Sequence, residues 1–143
     1  MITLEKFDSS KLETAAEYIQ KVYSNPTWGE KWTLERAKKR VKYITSNLTS
    51  LAYTIKKEED IVGFMFGKLD IIGEDDIFYL DELFINPSFQ RKGYGLQALN
   101  KLETELKARN INKIELHTID DDVKFYNKCG YTKSPYIHFE KKL

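Results

Sequence analysis

Gln90-Arg-Lys-Gly-Tyr-Gly95 packs an amide, two positive charges and two glycines into one short stretch of this chain. An apolar, β-prone run precedes it and ends at Ile85. Pro87 cannot donate to a sheet ladder, so a strand is predicted to stop there. Beyond the glycines, Leu96, Leu99, Leu102 and Leu106 recur at helical spacing and predict an amphipathic helix to about Arg109. A strand, a glycine-bearing loop and a helix amino-terminus in that order present unpaired N–H groups in a concavity at the positive end of a helix. Gly93 and Gly95 let the backbone take positive φ and approach a ligand without a Cβ in the way. Gln90, Arg91 and Lys92 add donors and charge at the same place. The stretch reads as a cradle for a phosphate-bearing cofactor.

Gly93-Tyr-Gly95-Leu-Gln-Ala98 also satisfies the dinucleotide fingerprint G-x-G-x-x-A. A dinucleotide fold places those glycines directly after its first strand, with an acidic residue about 20 positions on and further βα units to follow. Here they come late in the chain. Glu115 stands at the acidic position, but it alternates with apolar residues in Ile114-Glu-Leu-His117, as a mid-strand residue does. No Gly-Lys-Ser/Thr occurs, which excludes a P-loop. A dinucleotide-binding domain therefore stays a remote alternative.

Gln90-Arg-Lys-Gly-Tyr-Gly95 matches the Q/R-x-x-G-x-G/A signature of the general N-acetyltransferase (GNAT) superfamily. Leu83-Phe-Ile-Asn-Pro87 resembles that family's fourth strand and turn, and Phe125-Tyr126-Asn-Lys-Cys-Gly130-Tyr131 resembles its F-Y-x-x-x-G-F/Y segment. Two motifs in the right order are more specific than either alone. The resemblance covers Met1 to about Phe139. It departs where the family often has an asparagine and an alanine before the tyrosine; Ile119 and Asp122 stand there.

The resemblance implies an acetyl-CoA-dependent N-acetyltransferase in which an amine attacks the thioester directly. It implies that the cofactor lies against Leu83, Phe84 and Ile85, with pantetheine pairing to main-chain groups of Leu83 and Ile85 like an added strand. Gln90, Arg91, Lys92, Gly93, Tyr94, Gly95 and Leu96 would hold its phosphates. A lysine-like amine has a pKa of about 10.4, so about one molecule in 2,500 is a free nucleophile at neutral pH. That deficit is worth roughly 4.6 kcal/mol, which makes proton removal a design problem. Glu82, on the strand beside the thioester, is the candidate base, directly or through a water; otherwise it is a solvated strand residue. Asp81 is expected on the opposite side of the strand. Tyr126 is the candidate acid for a thiolate leaving group of pKa about 8.5, its alternative being an aromatic packed beside Phe125. Cys129 reads as a small packed thiol rather than a nucleophile. His117 and His138 have no ligand spacing, and no metal is expected. A non-catalytic acyl-CoA-sensing module on the same fold is the second reading.

The elements that must position these residues read as α/β (α+β), in the order β-α-α-β-β-β-α-β-α-β that the family implies. A mixed sheet of about six to seven strands with about four helices is expected, as one domain over residues 1–143. Strands are predicted at Ile2–Phe7, Leu51–Ile55, Ile61–Leu69, Ile77–Ile85, Lys113–Thr118 and Tyr136–Lys142. Ser10-Lys-Leu-Glu13 resembles a capping box opening a first helix, and Thr33 a cap for a second. Asp121–Lys128 is a short fourth helix.

Twenty-three basic and 22 acidic residues leave a net charge of +1, so no global field favours nucleic acid or an anionic membrane. Met1-Ile-Thr-Leu-Glu-Lys6 lacks the apolar core of a signal peptide, and no apolar run approaches a membrane span. The single Cys129 fits a reducing cytoplasm. A homodimer is compatible with the resemblance. Asp70, Glu74, Asp75, Asp76, Asp81, Glu82 and Asp120 to Asp122 crowd the predicted active edge. They tilt the acceptor slightly toward a cationic amine: a polyamine, an aminoglycoside or a peptide amine. Trp28 and Trp32 either line the acceptor site, as the resemblance implies, or form a hydrophobic staple.

Overall fold

A computed structural model describes residues 1–143. Strand β1 (Thr3–Lys6) is followed by helices α1 (Leu12–Tyr23) and α2 (Leu34–Thr45). Then come the strands β2 (Ser50–Lys57), β3 (Asp60–Ile72) and β4 (Asp75–Ile85), helix α3 (Tyr94–Ala108), strand β5 (Lys113–Leu116) and helix α4 (Asp120–Lys128). The five strands form one sheet in chain order. β1 to β4 are antiparallel, and β5 pairs parallel to β4. No helix is long and apolar enough to cross a membrane.

The sheet separates two cores. On one face α1 and α2 bury Ala15, Ala16, Ile19, Ala37 and Val41 against Phe64, Phe66 and Phe84. The rings of Phe64 and Phe84 lie 5.7 Å apart, and Phe66 meets Phe84 edge-on at 5.8 Å. Each such ring contributes roughly 1.5–3 kcal/mol by leaving water. On the other face Ala98, Leu99, Leu102 and Leu106 of α3 pack on Met65, Phe78 and Leu80.

Two features of β4 prepare the site. First, β3 and β4 slip register between Phe66↔Glu82 and Gly67↔Leu80, which leaves Asp81 as the extra residue of a β-bulge. Before the bulge the even-numbered Phe78 and Leu80 join the α3-side core. After it the odd-numbered Leu83 and Ile85 do so, while Phe84 joins the α1/α2 side. Gly67 sits opposite the bulge, where a Cβ would lie 2.2 Å from Phe78 Cζ and 2.4 Å from Tyr79 O. Second, the β4–β5 ladder stops at Leu80↔Leu116. From Asp81 to Ile85, β4 continues with one edge unpaired by any strand.

Three expectations differ. The predicted last strand, Tyr136–Lys142, does not form, so the sheet has five strands rather than six or seven. Its alternating residues have β propensity but find no ladder partner, and Tyr136, Ile137 and Phe139 are exposed. Ser10 does not cap α1. Asp8 instead accepts from Ser10 N and caps a 3-10 turn over Ser9–Lys11 that leads into the helix. Thr33 does cap α2, accepting from Arg36 N. Finally, β5 ends at Leu116, two residues short of the predicted Thr118.

Candidate active site

The glycine loop takes the expected form. Gly93 is the N-cap of α3 at φ 79°, and a Cβ built there would meet nothing within 4 Å. No side chain caps α3 and no acid occupies its first turn, so its leading N–H groups remain open to an anion. Arg91 is also left-handed, at φ 64°. Arg91 and Lys92 are exposed. Tyr94 packs against the α3-side core and Leu96 is half-buried, so these two offer main-chain groups rather than side chains. Gly95 serves another purpose: a Cβ would lie 3.3 Å from Phe125 Cζ, a tight contact, so its absence eases the approach of α4 to the first turn of α3.

The unpaired edge of β4 leads away from this loop. Asn86 N donates to Val62 O across the β3–β4 pair. Alternate residues of an antiparallel strand turn their main-chain groups to opposite sides, so residues 82 and 84 face β3 while Leu83 and Ile85 face the gap beyond β4. Gln90 closes part of that edge, because its Nε2 donates to Ile85 O at 2.9 Å. Gln90 is thus held on the strand end, with one of its two amide N–H bonds taken there. Phe84 does not reach the gap at all. Its side chain is buried in the α1/α2 core and its main-chain groups pair with β3.

The gap opens into a cavity of about 300 Å³ between the carboxyl ends of α1 and β5. Glu82 stands in its wall, with its side chain only 11% exposed. Tyr23 OH donates to Glu82 Oε1 at 2.8 Å, and Arg40 Nε donates to Oε2 at 3.2 Å. Burial raises the Glu82 pKa above the ordinary carboxylate value, while the Arg40 charge and both hydrogen bonds oppose that rise. The Tyr23 phenol is pushed well above its usual value, first by burial and then by the Glu82 charge, so it stays a donor. Asp81 is not on the opposite side as expected. The bulge brings it to the same cavity, and Lys68 Nζ, outside the lining, pairs with it at 3.1 Å.

Tyr126 reaches the cavity from α4 and is half-buried. Its ring packs edge-on against Phe125 at 5.0 Å and Tyr131 at 5.7 Å, and its hydroxyl makes no hydrogen bond within the protein. Burial, followed by the Asp122 charge, raises its pKa, so the phenol keeps its proton at neutral pH. Asp122, where the motif often has alanine, also lines the cavity and accepts from Thr118 Oγ1 at 3.3 Å. Trp28 and Trp32 both line it, and Trp32 Nε1 donates to Glu30 Oε1 at 2.8 Å. Of the acidic residues noted along the chain, Asp81, Glu82 and Asp122 reach this cavity, and Glu30 joins them. The Cys129 thiol is raised by burial, which leaves it poorly nucleophilic.

Sequence reasoning missed Tyr23, Glu30, Arg40 and His117, which also line the cavity. Arg40 had a legible signal. It lies three residues after Ala37 and four before Ile44, a charge inside the apolar stripe of α2. Tyr23 had none, since it reads as one more apolar residue of α1.

A profile described as Acetyltransferase (GNAT) family matches residues 14–131. Among solved structures, a possible acetyltransferase from Clostridium difficile 630 superposes with a TM-score of 0.82 at 14% identity. That match covers 100% of this chain and 98% of the other. The aminoglycoside N-acetyltransferase AAC(6')-Iy in complex with CoA superposes at 0.75 with 12% identity, over 99% and 95% of the two chains. Glucosamine-6-phosphate N-acetyltransferase from Arabidopsis thaliana does so at 0.71 with 17% identity, over 99% and 98%. These likenesses are of fold. No curated protein matches the chain in sequence.

Proposed function

The chain belongs to the acetyltransferase (GNAT) family, and from that premise we propose that it is an acetyl-CoA-dependent N-acetyltransferase acting on a small amine in the cavity beside Glu82. One observation carries the reading: a β4 edge that no strand pairs, open at Leu83 and partly closed by Gln90 at Ile85, runs from the uncapped α3 terminus to a cavity holding a buried carboxylate and a protonated phenol. The residues fit acetyl-CoA. The space over Gly93 suits a pyrophosphate, and the free main-chain groups of Leu83 suit an amide-bearing arm.

When bound, acetyl-CoA supplies an acetyl group activated as a thioester for attack by the amine. Glu82, whose charge Arg40 and Tyr23 favour against its burial, attracts the acceptor ammonium and takes its proton, directly or through a water. Its raised pKa brings the base closer to neutrality than a free carboxylate. The Tyr126 hydroxyl, still protonated, hydrogen-bonds to the departing sulfur and returns a proton to it. Glu30, Asp81 and Asp122 add negative charge around the acceptor and favour one that arrives as a cation.

The non-catalytic acyl-CoA module would be favoured by a Tyr126 walled off in the core. Tyr126 instead lines the cavity, which supports the enzymatic reading. Calorimetric titration tests the cofactor assignment. Acetyl-CoA and CoA are expected to bind and NAD not to; NAD binding in preference to CoA would overturn it.

A further inference from the structure

Glu82 and Arg40 form an incomplete pair, and the missing part says something about the acceptor. An arginine that only neutralises a buried carboxylate is best matched to it by two parallel N–H···O bonds. Arg40 makes one. Its Nε donates to Glu82 Oε2 at 3.2 Å, while no hydrogen bond from either terminal nitrogen is formed within the protein. The second carboxylate oxygen is taken by Tyr23 instead. The Arg40 side chain is 37% exposed and lines the cavity, so the edge of the guanidinium that grips oxyanions is left without a partner beside the acceptor space.

Arg40 is also the only lysine or arginine in that wall. Each carboxylate there already has a partner: Asp81 has Lys68, Asp122 has Thr118, Glu30 has Trp32, and Glu82 has Tyr23 and Arg40. An anionic group entering the cavity therefore has one favourable seat. The other charges facing it are the carboxylates of Glu30, Asp81, Glu82 and Asp122, which favour an ammonium. The volume, about 300 Å³, suits a guest the size of a single amino acid or a small amino alcohol or sugar derivative.

We propose that the acceptor is a small amine that also carries an oxyanion, a carboxylate or a phosphate, and that the free guanidinium edge of Arg40 binds that group and sets specificity. The inference rests on the acetyltransferase reading. It adds a negatively charged group to an acceptor whose amine still arrives as a cation.

The test is binding to the intact, CoA-loaded protein by isothermal titration, using matched pairs that differ only in the oxyanion. Phenylalanine against phenethylamine and lysine against cadaverine probe a carboxylate. Phosphoethanolamine against ethanolamine probes a phosphate. In at least one pair the oxyanion-bearing member should bind roughly 10- to 100-fold more tightly, as two charge-assisted hydrogen bonds allow. Arg40→Lys keeps a positive charge near Glu82 but loses the fork. It should abolish most of that preference while the affinity for CoA, read by the same titration, stays within a few-fold of the parent's. Equal binding within every pair, no binding by any member, or a preference unchanged in Arg40→Lys would each overturn the proposal. If amines without an oxyanion bind equally and are acetylated, the specificity assignment fails and the acetyltransferase reading stands. If CoA itself does not bind, that reading fails first.

Discussion

Glu82 is held between opposing influences: burial favours its neutral form, and Arg40 and Tyr23 favour its charge. A base works only when deprotonated, so its activity is lost as pH falls through the folded-state pKa. That value is raised above 4.5, and the acid limb of the rate profile should therefore lie above the ordinary carboxylate range. Glu82→Gln keeps the volume and removes the base. Turnover should drop at neutral pH and recover partly as pH climbs toward the pKa of the amine; a profile parallel to the parent's would show that Glu82 does not ease deprotonation. Tyr126→Phe removes only a hydroxyl that makes no internal hydrogen bond, so stability should barely change. If that hydroxyl protonates the leaving sulfur, kcat should fall about 10²–10⁴-fold while Kd for acetyl-CoA stays within a few-fold. Single-turnover kinetics check this, and a parental rate in the chemical step would make Tyr126 a packing residue. The sequence placed both residues on the right elements. It could not show that Tyr23 and Arg40 bracket Glu82, because those contacts join three elements far apart in the chain.

Among the elements, β4 does most to shape the site. Its apolar pattern, Phe78-x-Leu80-x-x-Leu83-x-Ile85, slips by one residue at the point where the bulge falls, and that slip was readable. Regular alternation, assumed instead, puts Asp81 and Glu82 on opposite sides. Gly67 guards the bulge from the facing strand. Gly67→Ala would drive a Cβ into Phe78 and Tyr79 O and should cost about 1–3 kcal/mol or more. Thermal denaturation should report a melting temperature lower by several degrees, and an unchanged one would mean that the strands separate freely there. Gly93→Asp is the contrasting case. Its side chain meets no protein atom, so circular dichroism should show an intact fold despite strain of about 1 kcal/mol at positive φ. Acetyl-CoA affinity should nevertheless fall sharply, because a carboxylate would occupy the pyrophosphate seat. Unchanged affinity would remove the phosphates from this loop. The loop and α3 were legible because glycine, charge and helical spacing are local signals. The tail was not, because residues 136–142 have strand-like alternation yet pair with no strand.

For the whole molecule, the sheet does two jobs at once. Its paired part divides two cores, and its unpaired end, where β4 outruns β5, leaves main-chain groups and a cavity between helices α1 and α4. A ligand bound along that edge would tie the two sides together. At one hundred times its Kd, acetyl-CoA should stabilise the fold by about 2.7 kcal/mol. Stabilisation alone, however, does not separate an enzyme from a binding module. The decisive measurement is amine-dependent release of thiol from acetyl-CoA by the intact protein, with the amine products followed by mass spectrometry. Release should require a small amine, with one acetyl group on that amine for each thiol freed and none retained on Cys129. Binding of acetyl-CoA with no amine-dependent release across carboxylated, phosphorylated and simple amines would contradict it.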